Sequence, residues 1–167
     1  METKPIMAER KATRTVADSR VEMTELVMPQ EINPLGSVFG GWVMALMDKS
    51  AAMAATRHCR GPVATASVDS IDFLAPMRLG HIVRLSAFLT RVFSSSMEVE
   101  VVVQAEDPRT GERVTTCSAF ITMVSLGLDG RPRPAPALRA TTPRERRIAR
   151  EAGHRRRLRL ARRKEPG

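Results

Sequence analysis

Aromatic residues are scarce in this chain of 167 residues: Phe, Trp and Tyr together make up 4%, and Tyr is absent. Aliphatic side chains and the ten Met residues must therefore fill the hydrophobic core, and Met adapts well to irregular spaces. The two cysteines, Cys59 and Cys117, are too few for a disulfide framework. They are typical of reduced thiols in a cytoplasmic protein.

Hydrophobic runs long enough to cross a membrane are also missing, so we expect no transmembrane segment. The N-terminus carries charged residues such as Glu2, Lys4 and Glu9 and lacks the apolar segment of a secretory signal. We therefore expect a cytoplasmic location. The chain length predicts one domain that is large enough to bury a core of its own.

Several kinds of chemistry lack their motifs. There is no Gly-x-Ser-x-Gly elbow, and His58, His81 and His154 do not form the pattern of a Ser-His-Asp triad. His58 falls near the end of a predicted helix, where positive charge suits the helix dipole, so we prefer a structural role for it. No metal-ligand spacing and no nucleotide-binding glycine motif occurs, so we expect neither a metal nor an organic cofactor.

The net charge of +9 is confined to the C-terminus. Residues 139–167 hold 12 Lys and Arg against 3 Asp and Glu, whereas residues 1–138 hold 15 of each. One interpretation is a solvated helix or a disordered tail. The other is attraction of anions: the phosphates of coenzyme A (CoA), a nucleic acid or an anionic membrane. No aromatic residues are interleaved for base stacking, so we expect nucleic acid to be an unlikely partner.

Patterning divides the chain into three parts. We predict a flexible N-terminus over residues 1–19, a folded domain over 20–138 and a basic tail, helical or disordered, over 139–167. A helix in the tail would have Thr142 as its cap and Pro143 in its first turn. Within the domain, apolar periodicity predicts one long helix from the Gly pair to about Arg57. It also predicts five strands, over 21–28, 63–74, 82–93, 97–105 and 114–126. One helix with consecutive strands is typical of an α+β domain with an antiparallel sheet.

One stretch organises the rest: a turn at Asn33, a Gly pair at Gly40 and Gly41, and then an apolar helix that contains the carboxylate Asp48. A carboxylate in such an apolar run is exposed to solvent, paired with a hydrogen-bonding or charged group, or part of a functional site. Asp48 either lies on the wet face of the helix or projects into a cleft near the helix start, where free backbone N–H groups bind oxyanions. The glycines favour the second interpretation, because they are typical of close approach by a ligand.

The segment over residues 33–48 resembles the signature of hotdog-fold acyl-CoA thioesterases of the YciA and brain acyl-CoA hydrolase type. Its pattern is Asn33-x-x-Gly36-x-x-Phe39-Gly40-Gly41-Trp42-x-Met44-x-x-Met47-Asp48. The similarity continues downstream in three segments, and it covers about Val21 to Leu138. These segments are 67–76, 79–83 and 96–99.

The resemblance implies a hotdog fold, in which an antiparallel β-sheet wraps around one long central α-helix. It implies that Asp48 is the catalytic carboxylate, as general base toward water or as nucleophile that forms a mixed anhydride. Asn33 would position the water or the carbonyl, and the N–H groups of Gly40 and Gly41 would polarise the thioester. Position near the expected cleft suggests three residues that contact CoA: Ser96, Arg131 and Arg133.

The function that this implies is hydrolysis of fatty acyl-CoA to a free carboxylate and CoA-SH, without metal or cofactor. The active site would lie between two protomers of a homodimer, which assembles further to a tetramer or hexamer. The alternative is a non-catalytic hotdog sensor of acyl-CoA that uses its basic tail to bind DNA or a partner. A dehydratase fits less well, because such enzymes pair an acid with a His at the site.

Overall fold

The computed structural model describes residues 13–162. Three helices are present: α1 Val16–Ser19, α2 Gly40–Cys59 and α3 Pro143–Arg162. The strands are β1 Arg14–Thr15, β2 Val21–Leu26, β3 Val63–Val68, β4 Asp72–Phe73, β5 Ile82–Val92, β6 Ser96–Glu106, β7 Arg113–Ser125 and β8 Leu138–Arg139. No helix in the described part of the chain is long and apolar enough to span a membrane.

Six of the strands form one antiparallel sheet in the order β2-β5-β6-β7-β3, with β4 also paired to β7. The remaining two, β1 and β8, form a short parallel pair that ties the two ends of the described domain together. All pairings within the large sheet are antiparallel, as the run of consecutive strands predicts. The three longest strands in the structure, β5, β6 and β7, agree with their predicted bounds to within one residue at each end.

Helix α2 packs its buried face against the concave side of this sheet. Ala, Leu and Met dominate its sequence and are strong helix formers. The helix ends at Arg60, a left-handed residue with φ of 52°, and Gly61-Pro62 follows. Its buried residues are Val43, Leu46, Met47, Ser50, Ala51, Ala54, Ala55, His58 and Cys59. Alternate residues of β5, β6 and β7 face them, so the core is aliphatic and Met-rich as the composition predicts.

Residues 14–19, which the sequence analysis placed in the N-terminal segment before the domain, form local structure. Arg14–Ser19 form β1 and α1, and Val16 and Ser19 are buried against the domain. Thr15 and Asp18 form a capping box, which fixes α1. Residues 1–12, the rest of the predicted flexible segment, lie outside the described residues. The strand predicted over 63–74 is in fact two strands, since pairing with β7 is interrupted between Val68 and Asp72.

The basic tail is a helix over Pro143–Arg162, and Thr142 caps it: the N–H of Glu145 donates to the Thr142 hydroxyl at 3.1 Å. This helix lies on the convex side of the sheet, opposite α2. Ile148 and Ala152 are buried there. Of the two forms that the sequence left open, helical or disordered, residues 143–162 take the helical one, mostly exposed but docked on the sheet through these two side chains. Residues 163–167 lie outside the described part.

Arg155 fastens α3 to the sheet. Its guanidinium donates to the carboxylate of Glu98 at 2.7 Å and lies 3.6 Å from the centre of the Phe120 ring. Glu98 has no exposed surface, and it also accepts a hydrogen bond of 2.6 Å from the Thr90 hydroxyl. A second ion pair, Arg159 with Asp69 at 3.1 Å, holds the next turn of the helix. Removal of Arg155 leaves a buried carboxylate without its cation.

We expect Arg155→Ala to lower the free energy of unfolding by about 2–4 kcal/mol, somewhat less than for a fully buried pair because the Arg155 side chain is 20% exposed. Urea denaturation measures the effect. Arg157→Ala, in the same helix but exposed, is the matched control and should change stability by less than about 0.5 kcal/mol. Equal effects of the two substitutions would contradict the role assigned to the Arg155–Glu98 pair.

Candidate active site

The start of α2 presents two free backbone donors. Phe39 occupies the cap position without a side-chain hydrogen bond, and its carbonyl already accepts from the N–H groups of Trp42 and Val43. The N–H groups of Gly40 and Gly41 have no acceptor among the described residues. They lie at the positive end of the helix dipole, so this point favours a negatively charged or polarised oxygen.

Asn33 organises the loop that leads into α2. Its side-chain oxygen accepts from the N–H of Leu35 at 2.8 Å, and its amide nitrogen donates to the Ser37 hydroxyl at 3.1 Å. The backbone N–H of Asn33 also donates to the Ser37 carbonyl. The loop is therefore held by the side chain that the sequence singles out, and Asn33 lies at the same end of α2 as the two glycines.

Asp48 lies on the exposed side of α2, two turns further along the helix. The hydroxyl of Thr65, in β3, donates to one of its carboxylate oxygens at 2.6 Å. Both side chains are exposed in the single chain. Thr65 bonds only one of the two carboxylate oxygens, and the other has no hydrogen-bond partner among the described residues. Within the single chain Asp48 thus lies on the wet face of the helix, the first of the two sequence interpretations, and is hydrogen-bonded there by Thr65.

The two groups of site residues are separated along the helix. Asp48 follows Gly40 by eight positions, which is a distance of about 12 Å along the helix at 1.5 Å per residue. One thioester carbonyl cannot contact both of them, since catalytic hydrogen bonds span about 3 Å. Within one chain, therefore, the structure brings Asn33 together with Gly40 and Gly41 but does not bring Asp48 to them.

Comparison with known proteins identifies the family. The family model described as "Thioesterase superfamily" matches residues 35–112. The uncharacterized acyl-CoA thioester hydrolase YkhA of Bacillus subtilis is 40% identical over 137 residues, which are 82% of this chain and 80% of that protein. The cytosolic acyl coenzyme A thioester hydrolase of Mus musculus is 41% identical over 127 residues. Those residues are 74% of this chain but only 33% of the mouse protein.

Solved structures agree. A crystal structure of an apo-hexameric acyl-CoA thioesterase superposes with a TM-score of 0.89 at 38% identity, over 92% of this chain and 99% of that one. An acyl-CoA hydrolase from Staphylococcus aureus, solved with butyryl coenzyme A, gives a TM-score of 0.85 at 32% identity, over 91% and 93% of the two chains. This chain belongs to the thioesterase superfamily. It is an acyl-CoA thioester hydrolase, and its sheet wrapped around α2 confirms the hotdog fold.

Three residues of this thioesterase were expected to contact CoA. Ser96 begins β6 and is half-buried, and Arg131 is exposed in the turn after β7. Arg133 is engaged within the chain, because its guanidinium donates to the carbonyl of Cys59 at 3.1 Å and so caps the end of α2. A contact of Arg133 with CoA would require it to give up this capping bond.

Sequence reasoning missed Thr65, which supplies the hydrogen bond to Asp48. It lies 17 residues away in a different element, and a Thr in a strand is ordinary, so only the packing of β3 beside α2 identifies it. Among residues 13–162, no group of three or more His, Cys, Asp or Glu could hold a metal ion.

His58 has the structural role that its position predicts, although for a different reason. It is fully buried, and Nε2 lies 2.9 Å from the Pro136 carbonyl, so it ties the end of α2 to the segment before β8. Nδ1 is buried without a partner among the described residues. Burial lowers the pKa of His58 below its usual value, so the ring is neutral rather than a cation at the helix end.

This depressed pKa predicts a loss of stability in acid. Below about pH 6.5, His58 binds a proton in the unfolded chain but stays neutral in the folded chain. The free energy of unfolding therefore falls as pH decreases, and this group contributes at most about 1.4 kcal/mol per pH unit. Denaturant titrations from pH 8 to pH 5, values chosen around the usual pKa of about 6.5, measure the slope. His58→Gln should flatten it, and His154→Gln, at an exposed position, should not.

Proposed function

We propose that this chain hydrolyses fatty acyl-CoA to a free carboxylate and CoA-SH in the cytoplasm, with Asp48 as the catalytic carboxylate. The observation that carries the proposal is the bond between Asp48 and the Thr65 hydroxyl. It fixes one carboxylate oxygen and leaves the other exposed on the helix. A carboxylate held in this way is suited to attack or to proton transfer.

The distance along α2 supports a site shared between two protomers. Asn33 and the N–H groups of Gly40 and Gly41 form one half-site, and Asp48 with Thr65 forms the other, about 12 Å away. A two-fold dimer places the start of one α2 beside the middle of the other when the two helices run antiparallel. Each symmetric interface then holds two complete sites. Further assembly to a tetramer or hexamer is consistent with the hexameric thioesterase among the structural relatives.

The Staphylococcus aureus hydrolase supports the choice of residues. Structures of that protein exist for variants in which an Asn, an Asp and a Thr are each replaced by Ala. Along its sequence these positions are separated by 15 and 17 residues, the same intervals that separate Asn33, Asp48 and Thr65 in this chain. The three side chains that this structure and sequence select are therefore spaced like the three tested there.

In the proposed reaction, the thioester carbonyl oxygen accepts hydrogen bonds from Gly40 and Gly41 of one protomer, which stabilise the developing oxyanion. Asp48 of the partner protomer either removes a proton from water or attacks the carbonyl carbon to form a mixed anhydride. Asn33 positions the water or the carbonyl. The carbon–sulfur bond breaks, and the departing CoA sulfur takes up the proton released from water, so CoA leaves as the thiol. In the anhydride route, water then hydrolyses the anhydride, which frees Asp48 and gives the acid. Ser96 and Arg131 are proposed contacts for CoA, and Arg133 is a weaker one because it already caps α2.

We expect Asp48→Ala to reduce kcat for thiol release from acyl-CoA by about a hundred- to ten-thousand-fold, because the carboxylate acts on the reacting atoms. Lys49→Ala changes the neighbouring exposed residue of α2 and is the matched control, with turnover close to wild type. Turnover that survives Asp48→Ala would contradict this mechanism. If the wild type binds acyl-CoA tightly without turnover, the acyl-CoA sensor becomes the better account.

A mixing experiment tests the shared site. Asn33→Ala and Asp48→Ala chains, each inactive alone, are unfolded together and refolded at equal amounts. We expect about a quarter of wild-type turnover to return, because half of randomly paired dimers are mixed and each mixed dimer holds one intact site. Refolding each variant alone is the control. No recovery in the mixture, with wild type refolding normally, would mean that both residues act within one chain.

A further inference from the structure

An apolar cavity of about 390 Å³ lies at the start of α2. Its floor consists of the buried side chains of Val38, Val43 and Met77, and its outer wall is the segment 73–76. Ser37 is the polar residue at its edge. A concave, mainly apolar space with a few polar groups at one end is the usual form of a small-molecule site.

The polar end of this cavity coincides with the half-site of Asn33 and the two glycines. Ser37, which lines the cavity, accepts a hydrogen bond from the Asn33 amide at 3.1 Å. Gly40 lines it as well, and its N–H has no acceptor among the described residues. A carbonyl bound by Gly40 and Gly41 would therefore have this cavity beside it.

Phe73 forms the wall closest to the helix. A Cβ atom built on Gly40 would lie 3.2 Å from the tip of the Phe73 ring, so the ring leaves little room for a side chain at this position. The backbone around the wall is fixed, because β4 pairs with β7 and the N–H of Leu74 donates to the Thr116 carbonyl at 2.7 Å. The Phe73 side chain nevertheless remains 52% exposed. It is a large apolar group on a rigid backbone, at the mouth of an apolar cavity.

The geometry points to this cavity as the acyl-chain site, with Phe73 as the residue that limits chain length. The inference rests on the proposed function, since it needs the thioester carbonyl at Gly40 and Gly41. The acyl substituent is bonded to that carbonyl carbon, and the apolar cavity lies immediately beside it. A volume of about 390 Å³ lies near the lower end of the range for small-molecule pockets, which favours short and medium chains over long ones.

The test compares kcat/KM for straight-chain acyl-CoAs from acetyl to palmitoyl in four proteins: wild type, Phe73→Ala, Phe73→Trp and the control Leu128→Ala. Leu128 is an exposed apolar residue in the turn after β7. The readout is the ratio of long-chain to short-chain kcat/KM, so that a general loss of activity cancels. We expect Phe73→Ala to raise this ratio at least about tenfold and Phe73→Trp to lower it, while Leu128→Ala leaves it unchanged.

The outcomes separate this inference from the proposed function. If Asp48→Ala abolishes turnover but no Phe73 variant changes the ratio, the mechanism stands and the acyl site is wrong. If the ratio shifts with Phe73 while Asp48→Ala remains active, the acyl site stands and the mechanism is wrong. Sedimentation analysis of Phe73→Ala is the companion measurement. A loss of oligomer with an unchanged ratio would assign Phe73 to a subunit contact and would overturn the inference.

Discussion

The close packing of α2 against the sheet is the constraint on which the rest of the molecule depends. Ala51, Ala54 and Ala55 have no exposed surface, so their small side chains let the helix lie near β5, β6 and β7. A helix held in this way is a straight rod with a fixed rise per residue. The distance between its free N–H groups and Asp48 is therefore set by the rod and cannot be shortened by movement of side chains.

Because α2 holds these groups apart, a two-fold dimer is the simplest way to bring them together in one site. Donors for an oxyanion and a carboxylate must both come within about 3 Å of one thioester, yet α2 holds its own pair about 12 Å apart. A second copy removes the conflict without bending the helix. The sheet is compatible with such pairing, since β3 is its last strand and no strand among the described residues covers its outer edge. An uncovered edge is a natural place for another chain to join.

The sequence predicted those features that depend on residues close together in the chain. Apolar periodicity located α2 and the long strands, and a charge within an apolar run identified Asp48. Contacts between distant segments left no such pattern. The Arg155–Glu98 pair joins residues 57 positions apart, and the Arg133–Cys59 contact joins residues 74 apart. From the sequence, the arginines of the tail were therefore expected to face solvent, and Arg133 was expected to contact CoA. In the folded chain, Arg155 instead pairs with Glu98, and Arg133 donates to the Cys59 carbonyl.

The docked tail also changes what the net charge of +9 can do. Side chains alternate along β6, so Val99 faces α2 while Glu98 faces α3 on the opposite side of the sheet. The arginines of α3 therefore lie on the opposite face of the sheet from the helix that carries Asp48. Contact of these arginines with CoA phosphates at Asp48 of the same chain is inconsistent with this placement, and Arg155 and Arg159 instead pair with Glu98 and Asp69.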